Sequence, residues 1–126
     1  MADYADLIGT PFKYGGRENS GALDCYGFIM QMLRRDGIEI PDYESPSDGA
    51  SITAIFVGEL RLWEKISTRP GAVHLFRVPG NLHVGYAIDQ DRFVHTWEKT
   101  GGVTVERLSE NNWKQRLIGT YKYVGK

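Results

Sequence analysis

The strongest constraint on the fold is a change of period at Pro70. Beyond it apolar residues alternate with polar ones, the pattern of half-buried strands. Residues 73–78, 82–88, 92–97, 103–107 and 117–124 read as strands. Pro79-Gly80-Asn81, Asp89-Gln90-Asp91 and Thr100-Gly101-Gly102 supply turns between them, and residues 109–113 read as a turn or a single helical turn. Ahead of Pro70 the spacing is helical. Asp24 is placed as an N-cap, and Phe28, Ile29, Met32 and Leu33 then fall on one face. Arg34 and Arg35 suit the end of that helix, and Gly37 suits its C′ position. Residues 3–8 predict a short helix capped by Asp3, and residues 11–21 a glycine-rich loop. Ser47 or Asp48 is expected to cap a second helix with Ile52, Ile55 and Phe56 inward, ending near residues 58–60. Residues 62–66 read as an edge strand. Helices first and a strand meander second predict an α+β fold, with N-terminal helices packed on one face of an antiparallel sheet.

Bulk properties narrow the function classes. A chain of 126 residues with 41% hydrophobic and 25% charged residues predicts one globular domain over residues 1–126. A net charge of −1 gives no electrostatic footprint for nucleic acid or anionic membrane. No apolar run reaches the length of a membrane span, so no membrane insertion is expected. The acidic start Met1-Ala2-Asp3-Tyr4-Ala5-Asp6 lacks the basic and apolar blocks of a signal peptide. The expectation is synthesis in the cytoplasm, or exit by a route that reads no such signal. A single cysteine allows no internal disulfide and no multi-cysteine zinc site.

That cysteine, Cys25, follows Asp24 at the start of the predicted helix. Free N–H groups and the helix dipole favour a thiolate there, and the same N–H groups can hold an oxyanion. Alone, Cys25 reads first as a buried small hydrophobe. A base changes this reading. His83 lies in the strand 82–88 with Gly85 and Ala87 as face-mates, small residues that leave room for a helix carrying Cys25. His95 lies in the next strand and would hydrogen-bond the far nitrogen of His83, fixing its tautomer. Strand parity sets a condition: the histidines share a face only if the loop between them has an odd number of residues or a bulge intervenes. A loop Asp89-Gln90-Asp91 meets it and pairs Gly85 with His95. Glu98 is a rival orienter. His74 is read as structural or superficial. His74, His83, His95 and Cys25 show none of the close spacings of metal motifs, so no metal and no cofactor is expected.

These pieces resemble the NlpC family of cell-wall cysteine peptidases, small papain-like hydrolases of peptidoglycan peptides. The resemblance rests on Gly9-Thr10-Pro11-Phe12-Lys13-Tyr14-Gly15-Gly16, Leu23-Asp24-Cys25-Tyr26-Gly27-Phe28, Arg69-Pro70-Gly71-Ala72-Val73, His83-Val84-Gly85-Tyr86 and Arg92-Phe93-Val94-His95, in the family's order. It implies Cys25 as nucleophile, His83 as general base and acid, and His95 as the orienting residue. It further implies Tyr14, Asp24 and Tyr26 on the substrate and oxyanion side. The implied substrate is a peptidoglycan stem peptide, cut between D-γ-glutamate and the following diamino acid. Two positions depart from the family's pattern. Tyr26 replaces a frequent serine, which bears on substrate contact, and Ala72 replaces a frequent aspartate at a strand start. With Tyr26 and no signal peptide, the chain looks more like the phage-tail branch, with tail or tail-like proteins as partners and the cell wall as the place of action. Two competing readings stand beside it: a non-catalytic tail or assembly protein that keeps the fold, and an amidase or acyltransferase using the same Cys/His chemistry.

Overall fold

The computed structural model describes residues 1–42 and 60–125. The chain starts with a 3-10 turn at Ala5–Leu7, where Asp3 accepts from the Ala5 N–H at 3.0 Å. Loop residues follow, with a second 3-10 turn at Glu18–Ser20, before helix α1, Cys25–Arg35. After a 3-10 turn at Leu60–Leu62 come strands β1 (Trp63–Lys65), β2 (Val73–Val78), β3 (Asn81–Ala87), β4 (Arg92–Thr96) and β5 (Val103–Arg107). A short helix α2, Trp113–Arg116, leads into β6, Leu117–Tyr123. The expected second helix, with Ser47 or Asp48 as its cap and Ile52, Ile55 and Phe56 inward, lies outside the described residues.

The strands form one six-stranded sheet in the order β1-β6-β2-β3-β4-β5, with every described pairing antiparallel. β1 is an edge strand, as its weak alternation predicts. Alternation then divides the sheet's side chains between two clusters. Val73, Leu75, Val84, Tyr86, Val94 and Val103 pack with Phe28, Ile29, Met32 and Leu33 of α1. Phe76, Val78 and Phe93 point the other way and pack with Leu108 and Trp113. The α+β fold is as expected, with one refinement. Helical structure is not confined to one face, because Trp113 at the start of α2 covers the face opposite α1.

Both ends of α1 are set by its sequence. At the start, the Asp24 carboxylate accepts from the Gly27 N–H at 2.7 Å, the expected N-cap bond. At the end, Gly37 takes φ +83°, a left-handed conformation that glycine adopts without steric cost. The Gly37 N–H reaches the Arg34 carbonyl at 2.9 Å, and the Ile38 N–H reaches the Leu33 carbonyl at 2.8 Å. This paired arrangement is a Schellman motif, satisfying carbonyls that the helix would otherwise leave open. Among the described residues no helix is long and apolar enough to cross a membrane.

Candidate active site

Cys25 opens α1 and is buried, with 4% of its surface exposed. The loop ahead of it is drawn tightly against the helix. Asp24, fully buried, holds it there: Oδ1 accepts from Gly27 N–H and from Arg17 Nη1 at 2.9 Å, and Oδ2 accepts from Gly15 N–H at 3.0 Å. The approach explains the glycine two residues after the cysteine. A Cβ on Gly27 would sit 2.2 Å from the Gly16 carbonyl oxygen, and one on Gly16 would sit 2.5 Å from the Ala22 carbonyl oxygen. Bare backbone on both sides lets loop and helix meet.

The thiol lies beside strand β3. The backbone N–H of Val84 approaches it, as do those of Cys25 and Tyr26 at the helix start. Sequence reasoning placed a readily ionised thiol at this point, and here the structure corrects it. Burial pushes the Cys25 thiol up to about 12, and the neighbouring Asp24 carboxylate adds to the rise. The three N–H groups favour the thiolate but do not offset burial. At neutral pH the resting group is a protonated thiol.

His83 immediately precedes Val84, and its Nε2 lies 2.7 Å from His95 Nδ1. The parity condition is met. Tyr86 pairs with Val94 and Ala87 with Phe93, while the Ile88 N–H bonds the Arg92 carbonyl at 2.9 Å, leaving Asp89-Gln90-Asp91 as the loop. Both histidines therefore project from the same face. That face is not the one α1 packs on, contrary to the expectation from Gly85 and Ala87. The room above Gly85 is filled by Phe93, whose Cδ2 would lie 2.8 Å from an added Cβ, and by Phe76 at 3.4 Å. His83 is enclosed by rings, with Trp97 at 5.4 Å, Trp113 at 5.7 Å and Phe76 at 6.1 Å between centroids. Burial holds its pKa well below the ordinary 6.5, and positive charge on His95 and Arg116 would push it further down. His83 is thus a neutral imidazole at pH 7, able to accept a proton.

The partner beyond His95 is a residue that sequence reasoning missed. Glu106 Oε2 accepts from His95 Nε2 at 2.5 Å, and its Oε1 accepts from Trp113 Nε1 at 2.9 Å and Asn111 Nδ2 at 3.2 Å. The His95 bond holds the Glu106 carboxyl at about 2, against burial, with the Trp113 bond helping. Glu98, the rival orienter, instead begins a 3-10 turn after Trp97. The signal for Glu106 was present in the alternation of β5. Its register pairs Thr104 with His95 and Glu106 with Phe93, so both β5 residues share the histidines' face.

The remaining expected residues are distributed as follows. Tyr14 is half-buried, edge-on to Phe12 at 4.9 Å, one residue before the Gly15 N–H that binds Asp24. Tyr26, expected to meet substrate, is buried, its hydroxyl donating to the Pro41 carbonyl and its ring lying under Arg17. It anchors the chain after α1. His74 is buried on β2 with Nδ1 2.8 Å from Thr120 Oγ1, the structural placement expected of it. Among the described residues no group of three or more His, Cys, Asp or Glu is arranged to hold a metal ion.

A thiol at a helix start, set against an antiparallel sheet that carries an oriented imidazole, defines the papain-like α+β class. Within that class the chain belongs to the NlpC/P60 family, whose profile matches residues 9–122. It is 28% identical over 123 residues to the probable peptidoglycan endopeptidase LytE of Bacillus subtilis (98% of this chain, 33% of that protein). It is 24% identical over 117 residues to the γ-D-glutamyl-L-lysine dipeptidyl-peptidase of the same organism (90% and 36%). It is 27% identical over 110 residues to the probable endopeptidase NlpC of Escherichia coli (86% and 66%). The chain thus spans about a third of the length of the Bacillus relatives. Solved structures with the same fold include a lipoprotein-like NLP/P60 protein from Staphylococcus aureus, with TM-score 0.70 at 20% identity over 96% of this chain and 39% of that one. Another is the P60 domain of a Mycobacterium avium subspecies paratuberculosis antigen, with TM-score 0.63 at 15% identity over 97% and 89%.

Proposed function

We propose that this protein is a cysteine peptidase that hydrolyses peptidoglycan stem peptides, cutting the amide between D-γ-glutamate and the next diamino acid. The observation that carries the proposal is a helix-start thiol approached by the N–H of Val84, the residue that follows His83 in β3, together with a neutral His83 oriented at 2.7 Å by His95. Family membership and the relatives' names, which include a peptidoglycan endopeptidase and a γ-D-glutamyl-L-lysine dipeptidyl-peptidase, support the substrate class.

The chemistry follows from the resting protonation states. His83 Nε2 is engaged by His95, so Nδ1 is the nitrogen left to serve the thiol. Cys25 Sγ attacks the scissile carbonyl carbon as its proton passes to His83 Nδ1, making His83 a general base during attack. N–H groups at the helix start stabilise the tetrahedral oxyanion, with the Tyr14 hydroxyl assisting. The C–N bond then breaks and His83 returns the proton to the leaving amine. Water, deprotonated by His83, hydrolyses the thioester and restores the thiol. Asp24 shapes the substrate side by holding Gly15 and Arg17 in place.

Mass spectrometry of products from defined muropeptides tests the reading. The expected product set has a new γ-D-glutamyl carboxylate and a free diamino-acid amine, and it is absent with Cys25→Ala and His83→Ala. Products cut at another amide would favour the amidase or acyltransferase reading. Digestion unchanged in Cys25→Ala would sink the enzymatic proposal altogether. As the setting we propose a tail or tail-like particle that meets the cell wall, a reading that rests only on the resemblance noted at Tyr26. Co-sedimentation of the protein with intact particles is the expected result, and recovery only as free protein would overturn it.

A further inference from the structure

From His83 through His95, the hydrogen-bonded line continues to a carboxylate clamped from both sides. We infer that Glu106 is a positioning residue that sets the tautomers of both histidines in series. The inference rests on the proposed roles of Cys25 and His83.

An ionised carboxylate only accepts hydrogen bonds. At 2.5 Å from Glu106 Oε2, His95 Nε2 must therefore carry its hydrogen. In neutral His95 the lone pair is then on Nδ1, which faces His83 Nε2 at 2.7 Å. His83 Nε2 must be the donor across that gap, and this leaves the lone pair of His83 on Nδ1, the atom needed to take the thiol's proton. Reversing the tautomers would place a hydrogen on Nδ1 of His83 and remove the base. One carboxylate thus selects between a working and an idle arrangement two residues away. It also places negative charge at the far end of the line when His83 becomes positively charged during attack.

The carboxylate is itself held. Glu106 comes from β5, opposite Phe93, and its other oxygen is occupied by Trp113 from α2 and by Asn111. Its side chain is only 17% exposed, so water competes weakly for Oε2. Trp113 also packs against His83 and His95, with centroids 5.7 Å and 5.2 Å away. The ring that walls the imidazoles therefore also fixes the anion that orients them.

The test combines imidazole 15N NMR with kinetics. In the parent protein at pH 7, His95 is expected to be protonated on Nε2 and His83 on Nε2, each with Nδ1 bare. A hydrogen on His83 Nδ1 would overturn the inference without any variant. Glu106→Gln can donate its amide to His95 Nε2 and so favour the reversed tautomers. Its expected signature is a shift of both histidines toward Nδ1–H, with kcat on a defined muropeptide lowered roughly a hundred-fold and KM changed less than about three-fold. Unchanged tautomers with kcat within about three-fold of the parent would refute the positioning role. If the parent cleaves no muropeptide, the function proposal fails while the tautomer measurement still decides the role of Glu106.

Discussion

At the scale of single residues, the site is built by groups whose environments oppose their ordinary behaviour. Burial makes Cys25 a poor acid and His83 a poor base toward solvent. The two groups then rest uncharged, and in the proposed mechanism proton transfer accompanies attack on the substrate. This predicts a quiet thiol. Raising the group from 9.0 to about 12 lowers the thiolate fraction at pH 7 roughly a thousand-fold, so iodoacetamide should label folded Cys25 far more slowly than the urea-unfolded chain. Equal labelling rates at pH 7 would show that the thiol ionises freely after all. Gly27 is the second residue-scale constraint. The obstacle to a side chain there is the Gly16 carbonyl oxygen at 2.2 Å, which is backbone and cannot swing aside. Gly27→Ala should therefore displace the loop from the helix start, costing about 1–3 kcal/mol by urea titration. Activity should fall with it, because Asp24 holds the same loop through Gly15 and Arg17. A variant as stable as the parent would mean that the loop moves without cost.

At the scale of elements, what was legible depended on whether the signal was local. The α1 boundaries follow from Asp24 and Gly37, which act within a few residues of themselves. Gly37→Ala should cost about 1 kcal/mol by forcing an alanine to φ +83°, lowering the urea midpoint while leaving Cys25 in place. An unchanged midpoint would argue that the Schellman bonds tolerate another geometry. The hairpin carrying the two histidines was legible for the same reason, since loop parity alone decides which face His95 takes. Less legible was what packs over that face. Gly85 reads as space for a helix, but the space belongs to Phe93 on the neighbouring strand. Glu106 was hidden for a related reason. Its partner His95 is 11 residues away, and only the β4–β5 register brings them together. The short helix α2 begins at Trp113, where the sequence suggested an ending, because the bulky ring is needed over Phe76 and Phe93 rather than in the preceding turn. Tyr26 shows the limit of motif matching: its position in the motif suggests substrate, whereas its hydroxyl is engaged by the Pro41 carbonyl.

At the scale of the whole molecule, the sheet buries ionisable groups on the face opposite α1, and this couples stability to pH in two separate stages. His74 and His83 are both buried, and burial depresses both pKa values, that of His74 to about 4. A histidine held neutral in the fold but free to protonate when unfolded makes the unfolded state bind more protons. Stability must then fall as pH drops below 6.5. The loss attributable to His74 alone is about 3 kcal/mol by pH 4, where the folded group begins to protonate. Glu106 works at lower pH. Its folded value near 2 adds stability that is present above 4.5 and is lost as pH falls toward 2. The window from 6 to 5 therefore reads the histidines, with a slope of about 1.4 kcal/mol per pH unit for each one once the unfolded chain is protonated. His74→Leu removes one of these groups and keeps an apolar ring-sized neighbour for Phe76 and Phe93, whose rings lie 5.8 Å and 6.1 Å from the imidazole. Unfolding free energies from urea titrations at intervals across that window should fall more gently in the variant than in the parent, by about 1.2 kcal/mol between pH 6 and 5. Parallel slopes would mean that His74 protonates within the folded protein, and that the sheet face is more open to water than its burial implies.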